Sequence, residues 1–486
     1  MTTITPAALD RTPAAGRDAG LLGLLAFALR VPALLAPTNL GYDDGGYGLA
    51  VVAMREGHAP FRDVFSPQGP LFLPLMRVAD LVGLETMNAP RLLSVLAGVV
   101  VSVAVYFAAR ELMDRPRALL AGGLTAISGV LLWTTGPLTG DGPAAAFATT
   151  AVAVALAYRR APSAGKVVAI TLLAGGALSV KSLLVGPALL VAWLLVASRR
   201  RWTHALAVVL GALAVVLLVS LPWGLGHVYD DYVAYHLDKT ADRKPLANLD
   251  KLVTTFARRD TVLVAVLLLG LGWALARRLR AHPDHPSQVE GGRLERALSG
   301  SRVLWWWAGT AFVVLLAQDP MFRNHLTALV APLALLAAWY RPPWKAVAVA
   351  VVVTLGFQVV ELRPLLWPED YTGTDAQIVE ALRDLPASAW VISDAPGLVW
   401  RAGKSTDPFY VDASVLRIHS NVEHIQITED RLVDAAANPK VCAVVVTAKV
   451  RFGSFTHLPE RLAELGYEPS ADVPAVYVRP NCDPPT

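Results

Sequence analysis

Apolar residues in this chain come in long uncharged blocks. Stretches such as Leu92–Ala109 and Leu206–Leu221 contain no acidic or basic side chain. A bilayer core takes about 20 mainly apolar helical residues to cross, with a range of roughly 17 to 25. On that measure the pattern predicts about eleven spans, near 21–38, 91–110, 117–136, 142–158, 167–180, 183–198, 203–224, 260–276, 303–318, 325–340 and 345–361. The two blocks flanking Lys181 are short, and each suits a half-helix of a re-entrant hairpin. The first block has the length of a signal peptide, but Arg30 and Pro32 interrupt it and no small-residue cleavage site follows. An uncleaved anchor is therefore expected.

Between and after these blocks the pattern changes. The run from Pro70 to Val82 alternates apolar and polar positions as an amphipathic helix lying along a membrane interface would. The stretch from Arg277 to Arg302 is polar and rich in Pro and Gly, and reads as a loop. After Leu362 a helical run (376–385) precedes a strand at Ala389–Ser393, a second strand starts at Cys442 and a third at Ala475, with helical runs at 429–437 and 458–465 between them. This alternation predicts a small α/β domain. It contains no Gly-rich phosphate loop, which argues against a nucleotide site there. Three regions result: a polar tail 1–20, a transmembrane domain 21–361 and an α/β domain 362–486.

Composition agrees with the blocks. Of 486 residues, 54% are hydrophobic and 17% charged, against roughly a quarter charged in soluble chains; mean hydropathy is +0.46. The net charge of +4 does not imply a nucleic-acid partner, because the basic residues sit at span ends. Arg110, Arg115 and Arg117, Arg159 and Arg160, Arg199 to Arg201, Arg277, Arg278 and Arg280, and Arg341 with Lys345 all fall on one side if each block is one crossing. Short loops rich in Arg and Lys stay cytoplasmic. The N-terminus is then inside, and the loops 39–90 and 224–260 and the α/β domain are outside. Abundant Arg, Ala, Val, Leu and Gly point to a bacterial source, hence to a bacterial cytoplasmic membrane. The two cysteines, Cys442 and Cys482, both lie in the α/β domain, where an outer location permits a disulfide; two separate thiols are the alternative.

Candidate chemistry gathers on the outer side. Asp43 and Asp44 stand together in Tyr42-Asp-Asp-Gly-Gly-Tyr47, directly after the first span. Asp141 follows the third span, Lys181 interrupts an apolar stretch, and Arg323-Asn324-His325 opens the tenth span. Each has a plain reading of its own: an acidic loop cap, a helix cap, or a lysine that snorkels to the interface. Ionisable groups at membrane depth are nonetheless functional candidates, since leaving them unpaired is costly.

The acidic pair after the first span resembles the signature of GT-C superfamily membrane glycosyltransferases. The protein O-mannosyltransferase-like branch fits best, with its lipid A aminoarabinose transferases and RgtA/B/C/D-like bacterial enzymes. Gly57-His-Ala-Pro-Phe-Arg-Asp63 resembles the family's G-x-x-P-Y-x-D step, and Pro67-Gln-Gly-Pro-Leu71 its His-Pro-Pro-Leu turn. Asp141 matches the second loop acid, Ser179-Val-Lys181 the Thr-Lys-Gly element, and Asn324-His-Leu with Ala331-Pro-Leu-Ala the late Pro-Leu-Ala stretch. Gln68 stands where His is usual, Asp44 where Glu is commoner, and Ser182 where Gly follows the lysine.

The resemblance spans roughly residues 20 to 360 and implies a helical GT-C fold. It also implies an inverting transfer of a sugar from a polyprenyl-phosphate donor to a hydroxyl acceptor on a lipid, glycan or protein. Asp43 is then expected as the base, with Asp44 next in line, and Asp141 as support for the acceptor. Lys181, Arg323 and His325 would bind the donor phosphate. A divalent metal bridging Asp43, Asp141 and the phosphate is conceivable, but the spacing does not demand one and Lys181 can take its electrostatic place. A secondary transporter or lipid flippase is the rival class; transporters often carry internal repeats, which this chain does not display.

Overall fold

The computed structural model describes residues 13–238, 244–280, 293–413, 425–447, 451–480 and 482. Residues 281–292 of the expected loop between Arg277 and Arg302, and the start of the N-terminal tail, lie outside these residues. A helix occupies each of the eleven apolar blocks. Four of them, Ala89–Leu112, Trp202–Trp223, Thr261–Arg280 and Trp344–Leu366, are long and apolar enough to cross a membrane. Arg115–Ile127 and Gly129–Thr135, bent by 55°, make a fifth if they are one span. Ala164–Val180, Leu184–Ala197 and Arg302–Ala317 are shorter apolar helices. Trp202–Ser220 exposes Leu206, Leu210, Leu213 and Leu217, and Trp344–Leu366 exposes Val349, Val352, Val353, Phe357 and Val360. Apolar faces of this extent need lipid against them, and the chain is a multi-pass membrane protein.

The breaks in these helices have local causes. Arg30, fully buried, ends the first helix (Pro13–Ala28) and donates to Thr135 Oγ1 at 2.6 Å and to the Ala26 carbonyl at 2.7 Å. Ser128 bends the third block: its hydroxyl accepts from the Leu131 amide, while Asp260 accepts from the Gly129 and Val130 amides at 2.9 and 3.1 Å. A new helical start leaves amides without intrahelical partners, and Ser128 and Asp260 answer three of them here. At the opposite end of the bundle the basic turns meet. Arg341 pairs with Asp114 at 2.8 Å, Arg115 with Asp18 at 2.6 Å, and Arg199 donates to the Arg159 carbonyl.

The C-terminal domain holds a four-stranded mixed sheet of β1 (Trp390–Ser393), β2 (Val441–Val445), β3 (Glu468–Pro469) and β4 (Val476–Val478), in the order β1-β2-β4-β3. β1 and β2 are parallel, and the other pairs are antiparallel. Helices Gly373–Arg383, Glu429–Ala436 and Leu458–Glu464 fall on the three expected helical runs. Cys442 and Cys482 form a disulfide with Cα atoms 5.5 Å apart, which joins β2 to the chain's end.

Several helices were not legible as such, among them Pro245–Arg259 in the expected loop 224–260. Tyr42–Arg55 is a helix where the sequence suggested a loop, and Pro396–Arg401 lies against it. Glycines permit the contact. A Cβ on Gly45 would lie 2.4 Å from Gly397 Cα, and one on Gly48 would lie 2.3 Å from the Trp400 ring. Any side chain at these positions would push the C-terminal domain away from the bundle.

Candidate active site

The helix Tyr42–Arg55 carries Asp43 and Asp44 in its first turn, where the dipole favours negative charge. The two carboxylates have different surroundings. Asp44 is fully buried and binds Arg91, also fully buried, through Nη2–Oδ2 at 2.5 Å and Nε–Oδ1 at 3.1 Å. The Leu40 and Leu138 amides donate to the same carboxylate, each at 2.8 Å. Arg91 donates further to the Ala33, Ala36 and Thr38 carbonyls, and Trp400 of the C-terminal domain stacks at 5.4 Å from it. Burial alone would raise the Asp44 carboxyl, but the Arg91 charge and the four hydrogen bonds hold it below its ordinary value. With two donors on each oxygen, Asp44 is committed to holding the structure.

Asp43 points the other way. Its side chain is open to a recess, yet protein surrounds that recess closely enough for burial to push its carboxyl up to about 6. Lys181 opposes the rise; Asp412, Asp141 and Asp44 add to it. Asn324 Nδ2 donates to Asp43 Oδ2 at 3.3 Å. A carboxyl near 6 is mostly ionised at neutral pH and still basic enough to take a proton from a hydroxyl attacking an electrophile.

Lys181 sits where helix Ala164–Val180 gives way to helix Ser182–Ala197, in extended conformation (φ −160°, ψ 109°). The half-helix end exposes carbonyls, and the turn at Pro67–Leu71 satisfies them. Gly69 N donates to Val180 O at 2.9 Å and Leu71 N to Ser179 O at 2.8 Å. A Cβ on Gly69 would come within 2.4 Å of the Ser179 oxygen, so the close approach needs glycine. The same turn carries Gln68, which donates to the Tyr47 hydroxyl at 2.7 Å and lies against Gly140. Lys181 Nζ in turn pairs with Asp141 Oδ2 at 2.9 Å. Asp141 Oδ1 and Gln68 Oε1 are buried acceptors without a donor among the described residues, and buried acceptors normally have one.

Asp43, Asp141 and Lys181 are thus brought together from three separate segments. Arg323 and His325 stand at the edge, in a 3₁₀ turn (Arg323–Leu326) that begins one residue before Asn324. Arg323 is exposed, and His325 Nδ1 meets Gln318 Oε1 at 2.5 Å. Among the described residues no group of three or more His, Cys, Asp or Glu is placed to hold a metal ion, and the positive charge beside Asp141 is that of Lys181. Ser182 begins an apolar groove of about 810 Å³ between helices Ser182–Ala197 and Arg302–Ala317, lined by Gly186, Pro187, Leu190, Trp305, Trp306 and Val313 among others.

Sequence reasoning missed Arg91, Asn324's contact with Asp43, and Asp412. Arg91 is 47 residues from its partner, and Asp412 reaches the site only through domain docking. The Arg323-Asn-His triplet was visible, but its middle residue carried no charge to mark it.

Comparison with known proteins follows this geometry. Residues 68–224 match the family model for dolichyl-phosphate-mannose-protein mannosyltransferase. ArnT from Cupriavidus metallidurans, bound to undecaprenyl phosphate, shares the fold with a TM-score of 0.64 at 14% identity, over 97% of this chain and 99% of that one. Its apo form gives 0.62 at 13%, over 96% and 98%. The oligosaccharyltransferase AglB from Archaeoglobus fulgidus, in complex with an inhibitory peptide and a dolichol-phosphate, gives 0.54 at 14%, over 97% and 75%. No curated protein matches the chain by sequence. The chain thus shares its fold with ArnT and AglB, and its residues 68–224 are similar to the mannosyltransferase family model. The matched segment, about a third of the chain, contains Gln68, Asp141 and Lys181.

Proposed function

We propose that the protein is an inverting glycosyltransferase that moves a sugar from a polyprenyl-phosphate donor to a hydroxyl acceptor, on the side of the membrane that carries the C-terminal domain. The observation that carries this reading is the meeting of a raised carboxyl, Asp43, with the Lys181–Asp141 pair at the mouth of an apolar groove. ArnT with undecaprenyl phosphate and AglB with dolichol-phosphate support a lipid-linked donor.

The chemistry has two needs. The acceptor hydroxyl loses its proton as its oxygen bonds to the anomeric carbon; Asp43 takes that proton, an assistance of about 10²–10⁴-fold. The bond from the anomeric carbon to the phosphate oxygen breaks, and the polyprenyl phosphate leaves with added negative charge. Lys181 stabilises that charge, with Arg323 and His325 in support, and most effectively where water is scarce. The apolar groove starting at Ser182 accommodates the polyprenyl tail in this reading. Asp141 fixes Lys181 and offers its second oxygen, with Gln68 Oε1, to sugar or acceptor hydroxyls. Asp44 has a positioning role, as do Arg91 and Asn324. The outer side is that of a bacterial cytoplasmic membrane, and eleven crossings place both ends of the chain as the charge pattern requires.

The test is transfer of radiolabelled sugar from polyprenyl-phosphate donors to an envelope acceptor by the purified protein. Lys181→Met lowers kcat by about 10²–10³ with donor binding less affected. A kcat equal to that of the wild type removes Lys181 from the departure of the phosphate.

A further inference from the structure

The C-terminal domain covers the first turn of the helix that carries Asp43. The Val411 carbonyl lies 3.3 Å from where a Cβ on Gly46 would stand, at the end of the 3₁₀ turn Pro408–Val411. The next residue, Asp412, faces Tyr42. Arg451 lies 4.0 Å over the Tyr42 ring, and its Nη1 donates to the Asp394 carbonyl. Asp394 in turn accepts from the Thr447 amide and hydroxyl at 2.8 and 2.7 Å. The segment that presents Asp412 is therefore held by Gly46 below it, and its neighbour Arg451 is anchored to the end of β1. This is a built contact between two domains, and it ends at the residue beside Asp43.

We infer that Asp412 is a positioning residue for Asp43, which completes the ring of charges around the base and makes docking of the C-terminal domain a condition for its proper protonation. The inference rests on Asp43 acting as the base. The charged groups facing Asp43 are Lys181 from the helix break, Asp141 from the helix Asp141–Arg160, Asp44 from its own helix and Asp412 from the C-terminal domain; Tyr42 and Tyr47 lie among them. Three of the four charges are negative, and Asp412 alone comes from outside the bundle. Its charge acts on Asp43 in the same sense as burial, in favour of the protonated form. A C-terminal domain that swings away both opens the recess to water and removes this charge, so the base becomes weaker.

The test uses the full-length protein in detergent and two readouts. Dicyclohexylcarbodiimide reacts with protonated carboxyls, so labelling of Asp43, followed by mass spectrometry against pH, reports its protonation without any substrate. The acid limb of the transfer rate reports it during turnover. In Asp412→Asn both midpoints move to lower pH by about half a unit, while the rate on the alkaline plateau stays within about threefold of the wild type. Asp412→Glu keeps the charge and keeps the wild-type midpoints. A labelling midpoint unmoved in Asp412→Asn overturns the inference, as does the same downward move in Asp412→Glu, which would mark a purely structural residue. A moved labelling midpoint with no transfer from any donor upholds the coupling of Asp412 to Asp43 and counts against glycosyl transfer instead.

Discussion

Replacing Asp44 with alanine separates structure from chemistry at the acidic pair. The substitution leaves the Arg91 guanidinium fully buried without its counter-ion, and strips the Leu40 and Leu138 amides of their acceptor. Breaking a buried ion pair by removing one partner costs about 3–5 kcal/mol, and each buried amide left unpaired adds about 1–3 kcal/mol. Relaxation and water entry return part of this, so about 3 kcal/mol is a conservative figure. In a chain of 486 residues that corresponds to a fall in the unfolding midpoint of roughly 3 °C, readable by following the monodisperse fraction in detergent as temperature rises. The effect should not depend on pH between 6 and 8. Asp44 has a depressed carboxyl in the folded protein, so its stabilisation is complete above the unfolded value of about 4 and is lost only as pH falls through the folded one. The double variant Asp44→Leu/Arg91→Met, which removes both charges, should unfold at a higher temperature than Asp44→Ala. An Asp44→Ala protein with an unchanged midpoint and no transfer would refute this reasoning and give Asp44 a chemical role.

Two further outcomes follow from the same geometry. Gly48→Val sets side-chain atoms inside the Trp400 ring, so the C-terminal domain should dock poorly and the segment between Leu366 and Gly373 should be cut faster in limited proteolysis; an unchanged cleavage rate would deny that the glycine face holds the domains together. The rate of sugar transfer should fall about tenfold per unit below pH 6, because Asp43 must be ionised to accept a proton and its carboxyl lies at about 6. A rate still flat at pH 5 would mean that a more acidic group serves as the base.

The membrane helices were readable because an uncharged apolar block has few other uses. The break at Lys181 was readable for the same reason, since one cation in such a block has to be accounted for. The α/β domain's three longer strands showed as short β-branched runs. The Tyr42–Arg55 helix was not legible: Asp-Asp-Gly-Gly reads locally as a turn. Its glycines instead answer to a helix some 350 residues further along the chain, at Gly397 and Trp400. Asp43 and Asp44 look equivalent in sequence, and only Arg91 and the Leu138 amide, far away in the chain, commit one of them to the fold. The Pro-Gln-Gly-Pro turn could be matched to a motif, but its task of satisfying the Ser179 and Val180 carbonyls needs the folded break. What escaped the sequence was pairing between distant segments, and the site consists of such pairings.

The central claim is that Asp43 is the base of a glycosyl transfer. The direct measurement compares wild type with Asp43→Asn for transfer of label from polyprenyl-phosphate sugars to an envelope acceptor, with both proteins shown to unfold at the same temperature. The account predicts transfer by the wild type and a rate at least about 10²-fold lower in the variant. Equal transfer by both proteins would contradict it.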